Sequence, residues 1–306
     1  MKEKILVIKL GALGDFIFAS GVMKTIREAY PEAHITLLTG PAYVSLAKMS
    51  GYFDAIETDA RTRNPKDWWK VCKKVLADNK WDLIFDLQVS SRTKKKYYTL
   101  ARLLTSYPMK WGLLSSNGFL IKESSLKFPF SWGKTSSSFL KMDFKPASLA
   151  FCYNKSECIK KLPQKYVLMI PGCSAANAYK RWPAKFYGKV AIALAKKGIA
   201  SVVIGTNAEK EDIETVCKST PLAVNFCNCN KIIDIPDIAH HALAVIGNDT
   251  GPMHMAELTN VPCITLFCER TKKACQKRPH ITNFVGKKIE DIPPEAVIEK
   301  LFSVLQ

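Results

Sequence analysis

Lys4-Ile5-Leu6-Val7-Ile8-Lys9-Leu10-Gly11-Ala12-Leu13-Gly14-Asp15 is the stretch that decides the fold class of this chain. The aliphatic run within residues 4–10 reads as a short buried strand, and residues 15–30 place apolar side chains at helical spacing. A second strand follows at residues 34–39. Strands joined by a helix of this length pair in parallel through a right-handed crossover. Working outward, residues 54–58 and 82–87 supply two more strands, with an amphipathic helix over residues 65–79 between them. Together they describe one doubly wound sheet.

Periodicity weakens from residue 90 to about residue 162, where aromatic, lysine and serine residues mix. It returns with a strand at 166–170, a helix at 183–197, a strand at 200–204, a helix at 209–218, a strand at 244–247, a helix starting near Gly251 and a strand at 262–267. This is a second doubly wound sheet. A last helix over residues 294–305 carries Val297, Leu301 and Leu305 at four-residue spacing and is expected to dock on a domain surface, with packing back on the first domain open to it. The expected architecture is α/β, with two doubly wound Rossmann-like domains at residues 1–160 and 161–306 facing a central cleft. Ligands of such folds bind at the carboxyl ends of the strands.

At 306 residues and 47% hydrophobic, the chain is long and apolar enough for two ordinary cores. Its formal net charge of +18 points to an anionic partner, substrate or surface, with a plain solubility charge as the bland alternative. The ten cysteines are scattered and no signal-peptide pattern precedes them, so reduced thiols in the cytoplasm are expected. Cys217, Cys227 and Cys229 lack a second pair at zinc spacing, and no metal is expected there. No apolar run approaches the roughly 20 residues that span a bilayer, which leaves only peripheral membrane association.

Three clusters sit at strand ends. In the first, Gly11 and Gly14 allow a tight turn and close ligand approach before a helix, and Asp15 is either a helix N-terminal carboxylate or a general base. The spacing is neither a dinucleotide fingerprint nor a Walker loop. The second, Pro171-Gly172-Cys173 with Lys180-Arg181-Trp182-Pro183, puts two cations before a helix and suits a diphosphate, or is a surface loop of a lysine-rich protein. The third, Gly247 to His254, concentrates Asp249, Thr250, Gly251 and His254. Capping by Asp249 or Thr250 and a core role for His254 would explain single residues, but not the whole cluster.

Residues 9–15, Asp86-Leu87-Gln88 with Arg92, Lys180-Arg181-Trp182-Pro183, and Asp249-Thr250-Gly251 with His254 and Ala256 occur in an order that resembles glycosyltransferase family 9. Its best-known members are the lipopolysaccharide core heptosyltransferases. The resemblance implies a GT-B fold and inverting transfer from a nucleotide sugar, typically ADP-heptose, to a lipopolysaccharide core or related anionic glycolipid, with no metal and no further cofactor. By that resemblance Asp15 would be the base that activates the acceptor hydroxyl, and Gly11, Gly14, Gln88 and Arg92 would lie on the acceptor side. Lys180 would meet the donor phosphates, and Glu209, with Glu211 as its competitor, would reach the ribose. Asp249, Thr250 and Gly251 would hold the donor sugar and diphosphate, and His254 would line the phosphate site or brace its loop. After Leu266-Phe267 this chain has Cys268-Glu269-Arg270-Thr271 where the family continues with glycine, proline and threonine.

Residues 92–110 carry Arg92, Lys94, Lys95, Lys96, Arg102 and Lys110 with no acidic residue, interleaved with Tyr97, Tyr98 and Tyr107. Such a face suits a phosphorylated glycolipid acceptor or an anionic membrane, at about 1 kcal/mol per basic residue near the surface, with a plain solvated surface as the alternative. Phe119, Phe128, Phe130, Trp132, Phe139 and Phe144 add an aromatic set divided between core and interface. The expected location is therefore cytoplasmic and peripheral on the inner face of the bacterial inner membrane. Two rival classes fare worse. A nicotinamide-dependent oxidoreductase needs an acid at the end of the second strand, which reads Leu38-Thr39-Gly40. A basic nucleic-acid-binding protein accounts for the charge and leaves the strand-edge carboxylates unexplained, so no specific nucleic acid is expected.

Overall fold

The computed structural model describes residues 2–62, 64–77, 80–88, 90–99, 110–114, 120–125 and 145–305. The chain forms two compact units, Met1–Phe151 and Cys152–Gln306. In the first, β1 (Lys4–Lys9), α1 (Leu13–Phe18), α2 (Ser20–Ala29), β2 (His34–Thr39), α3 (Val44–Ser50), β3 (Ala55–Thr58), α4 (Pro65–Cys72), β4 (Leu83–Asp86), β5 (Lys110–Leu114) and β6 (Leu120–Ser125) follow in order. The sheet order is β3-β2-β1-β4-β5-β6. All pairings are parallel except β5 with β6.

Ile5, Leu6, Val7 and Ile8 are all fully buried, because β1 is central and both faces of the sheet are covered. The single helix expected over residues 15–30 is two, α1 and α2, divided at Ala19. Residues 145–148 run across α2. A side chain on Gly21 would lie 2.1 Å from the Lys145 carbonyl, so only glycine admits the strap there. The Lys145 N–H donates to Thr25 Oγ1 at 2.9 Å, and the Ser148 N–H donates to Ser20 Oγ at 3.2 Å.

The second unit comprises β7 (Tyr166–Ile170), α5 (Ala184–Ala195), β8 (Ala200–Gly205), α6 (Lys210–Cys217), β9 (Ala223–Cys227), α7 (Ile235–His240), β10 (Ala244–Asn248), α8 (Gly251–Ala256), β11 (Cys263–Cys268), β12 (Ile281–Gly286) and α9 (Pro294–Val304). Its six strands are parallel in the order β12-β11-β10-β7-β8-β9. Numbered from β7, this is the same winding as the first sheet. The order reverses between β7 and β10, which opens a crevice at their carboxyl ends. Strands β9 and β12 are additions to the expected set. Both are half-exposed edge strands, and their mixed sequences lack the apolar run of an interior parallel strand.

The last helix, α9, buries Val297 and Leu301 in the second unit's own core, with Val190 and Leu194 of α5. The division between units falls after Phe151, ahead of the expected residue 160. Asp237 explains why the intervening residues join the second unit. Its fully buried carboxylate accepts the N–H groups of Asn154 at 2.8 Å, Lys155 at 2.9 Å and Ser156 at 2.8 Å. Asp237→Ala leaves these donors without their acceptor and should destabilise the second unit by roughly 3 kcal/mol. Denaturant unfolding checks this, and a loss below about 1 kcal/mol would show that water replaces the carboxylate.

Candidate functional site

The second unit assembles its cluster at the switch point. Asn248 ends β10 fully buried, and its side-chain oxygen accepts the Trp182 N–H at 3.2 Å and the Tyr187 hydroxyl at 2.9 Å. Its amide nitrogen donates to the Pro171 carbonyl just beyond β7. One side chain therefore ties together the ends of β7 and β10 and the loop entering α5. Next in sequence, Asp249 is 5% exposed and receives Lys180 Nζ on Oδ2 at 2.7 Å and His254 Nε2 on Oδ1 at 3.1 Å. His254 Nδ1 lies 2.7 Å from Glu257 Oε2, and Glu257 Oε1 accepts the Thr265 hydroxyl at 2.6 Å.

Both imidazole nitrogens face carboxylates, and each needs a proton to donate, so His254 is an imidazolium. Burial by itself would lower its pKa. The hydrogen bonds and charges of Asp249 and Glu257 outweigh burial and raise it to about 9. Burial would likewise raise Asp249, but His254 and Lys180 hold its carboxyl below the usual aspartate value. Thr250 caps α8 through the Met253 N–H at 3.4 Å, the capping role weighed from sequence. Gly251 opens that helix.

Lys180 and Arg181 part company. Arg181 donates to the Cys173 carbonyl at 2.7 Å and pairs with Asp212 at 3.3 Å, bracing the loop after β7. Glu209, 9% exposed, folds back to cap its own turn, with Oε2 accepting the Thr206 N–H at 2.9 Å and hydroxyl at 2.6 Å. Its Cγ stands 2.5 Å from where a Gly172 side chain would begin, so glycine lets Glu209 reach the end of β7. Glu211 is exposed in the first turn of α6. In the departing loop after β11, the Arg270 guanidinium lies 4.6 Å from the centre of the Tyr179 ring, one residue before Lys180.

In the first unit, Gly11 has φ +118°, and a side chain there would strike the Tyr43 ring at 2.6 Å. Asp15 lies exposed in the first turn of α1, two residues after Leu13. Gln88 accepts the Leu10 N–H at 2.9 Å and so joins the ends of β1 and β4. Lys9, which opens the first motif, is 4% exposed and donates to the Leu87 carbonyl at 3.0 Å. Burial lowers its pKa, while the nearby charges of Asp15 and Asp86 oppose that shift.

Arg92 is a half-buried tie. It grips Asp59 through Nη2 at 3.0 Å and Nε at 2.9 Å, and Asp59 also takes the Tyr97 hydroxyl. Tyr97 and Tyr98 are buried in the core, so they do not line a basic face. Lys96 is exposed, with Nζ 5.5 Å from the centre of the Trp68 ring. Gly14 lies half-buried in the first turn of α1, and the side chains of Lys94, Lys95 and Lys110 fall outside the described residues. Arg102, Tyr107, Phe119, Phe128, Phe130, Trp132, Phe139 and Phe144 likewise lie outside the described residues.

The profile of glycosyltransferase family 9 (heptosyltransferase) matches residues 115–292. The chain belongs to glycosyltransferase family 9. Lipooligosaccharide heptosyltransferase 2 of Haemophilus influenzae is 26% identical over 183 residues, covering 49% of this chain and 53% of that relative. The chain thus spans about half the length of that relative. Lipopolysaccharide core heptosyltransferase OpsX of the same organism is 21% identical over 289 residues, covering 87% of this chain and 79% of the relative. The structure of the E. coli ADP-heptose lps heptosyltransferase II superposes with a TM-score of 0.70 at 16% identity, covering 100% of this chain and 98% of that one. The two Rossmann-like units are thus those of the GT-B heptosyltransferase fold.

Among the described residues of this family 9 chain, no group of three or more His, Cys, Asp or Glu side chains is arranged to hold a metal ion. No helix there is long and apolar enough to cross a membrane. Glu257 and Asp59 are the partners of His254 and Arg92 that the sequence alone did not single out. The signal for Glu257 was its place three residues after His254, one helical turn on; for Asp59 there was none, since Arg92 lies 33 residues away.

Proposed function

We propose that this chain is an inverting glycosyltransferase that moves a sugar, heptose from ADP-heptose, onto a lipopolysaccharide core or related anionic glycolipid. The observation that carries the reading is the Lys180–Asp249–His254 cluster at the switch point of the second unit. Lys180 retains 19% side-chain exposure, enough to reach a diphosphate entering the crevice. Asp249 is shared between two cations, so its charge does not cancel Lys180 alone. The acceptor oxygen attacks the anomeric carbon, the bond from that carbon to the diphosphate oxygen breaks, and the departing negative charge falls on Lys180. ADP is the preferred nucleotide, on the strength of the E. coli relative's donor. Lysine and imidazolium supply the counter-charge, and neither metal nor further cofactor is required. Lys180→Ala should weaken ADP binding about tenfold or more in calorimetry with chelator present. Wild-type binding that vanished on chelation would refute the metal-free reading.

The acceptor proton goes to Asp15. It is the acid of the glycine loop, its carboxylate is open to solvent, and the buried Lys9 ammonium lies close enough to feel its charge. Asp15→Asn keeps the shape and removes the basicity, so turnover should fall about 100-fold to 10,000-fold while ADP affinity is unchanged. Retained turnover would reduce Asp15 to a helix-terminus carboxylate.

Work at the cytoplasmic face of the inner membrane needs a surface for anionic lipid. Trp69, 45% exposed, stands on one face of α4 with Lys66 and Lys70, both exposed, exposed Lys73 follows at the C-cap of that helix, and Lys96 reaches its flank. Trp69→Glu should reduce sedimentation with phosphatidylglycerol vesicles several-fold, about 1 kcal/mol, and leave ADP affinity unchanged. Unchanged sedimentation would leave this face as plain surface.

A further inference from the structure

Glu257 is a fully buried carboxylate that takes no part in the donor reading above. It lies on the far side of His254 from Asp249, and its second oxygen is held by Thr265 of β11. Burying a carboxylate is unfavourable unless it is paired and hydrogen-bonded, and both oxygens here are satisfied. The result is a line of alternating charges: Lys180, Asp249, His254, Glu257. Its net charge is zero only while His254 keeps its proton. A neutral imidazole would leave the two carboxylates in excess and repel a diphosphate.

We propose that Glu257 is a positioning residue that keeps His254 charged against Asp249, and so sets the alkaline limit of the range in which the Lys180 site accepts a diphosphate. This rests on the donor reading of Lys180. The other groups facing the line do not compete for the role. His280 meets the Glu257 backbone carbonyl through Nε2 at 2.8 Å and so lies on the helix side. Cys263 and Cys275 are thiols that burial pushes up, with the Glu257 charge adding to the effect, so they remain neutral in the neutral range. The imidazole raised to about 9 agrees with the geometry. Because His254 binds its proton more tightly folded than unfolded, its stabilising effect is complete below about pH 6.5 and is lost as pH rises through about 9.

The test follows the His254 ring by nitrogen-edited NMR in the full chain, and ADP affinity by calorimetry, from about pH 6 to about pH 10, in wild type and E257Q. Glutamine keeps the shape and removes the charge. The expected His254 midpoint falls by about one pH unit or more in E257Q, with ADP binding about tenfold weaker than wild type at about pH 8 and within about twofold at about pH 6. H254Q, which has no ring to titrate, should bind ADP weakly with no alkaline step. An equal His254 midpoint in wild type and E257Q would overturn the role of Glu257 whether or not ADP binds. A lowered midpoint with an unmoved ADP profile would overturn it too. Should E257Q fail to fold, an alkaline weakening that persists in H254Q would overturn the proposal. Absence of ADP binding by wild type at every pH would instead overturn the donor reading, and this proposal with it.

Discussion

The Asn248 side chain occupies the point where the second sheet reverses its winding, and three separate segments lean on it. Two donors reach its oxygen, from the Trp182 backbone and the Tyr187 hydroxyl, and its nitrogen meets the Pro171 carbonyl. All three partners are buried groups that water cannot serve, so the amide is needed to satisfy them. Trp182 in turn donates its indole N–H to the Ile292 carbonyl at 3.0 Å, which connects the loop to the segment before α9. Because Lys180 and Asp249 are close neighbours of Trp182 and Asn248 in the chain, this network determines where the charged cluster stands.

The cluster itself is a case of charge arranged against the cost of burial. Isolated, any one of Asp249, His254 or Glu257 would be expensive to enclose; in alternation each is the counter-ion of the next. The arrangement adds little net stability, since desolvation offsets much of the attraction. What it secures is geometry. Each partner leaves one direction free for the next bond, and Lys180 at the open end is the member that solvent and ligand can reach.

The first unit solves a similar problem with a different device. Lys9 is buried at the end of the central strand, and the Leu87 carbonyl together with the charges of Asp86 and Asp15 compensate it. Gln88 closes the same edge by accepting the Leu10 N–H. Residues that resemblance assigns to substrate therefore also hold the strand ends in register. Arg92 shows the same economy: its guanidinium is engaged by Asp59, so the basic character of residues 92–97 rests on the lysines.

Interior strands were legible in the amino-acid sequence because a parallel strand covered on both faces must be apolar throughout, as Ile5 to Ile8 and Tyr166 to Ile170 are. The glycine loop, the Lys180 segment and the Asp249-to-His254 cluster were legible for a related reason: strand ends in such folds are where ligands bind, and those ends could be located. Edge strands β9 and β12 were not, since one exposed flank relaxes the demand for apolar residues. Nor could the sequence say which acid each cation engages. Lys180 and Arg181 are adjacent in the chain, yet one faces Asp249 and the other Asp212. Partners such as Asn248 and Pro171, 77 residues apart, meet only because β10 lies beside β7. Which charges oppose one another in the folded protein is a property of strand order, and strand order is decided by the packing of whole elements, which no local run of residues encodes.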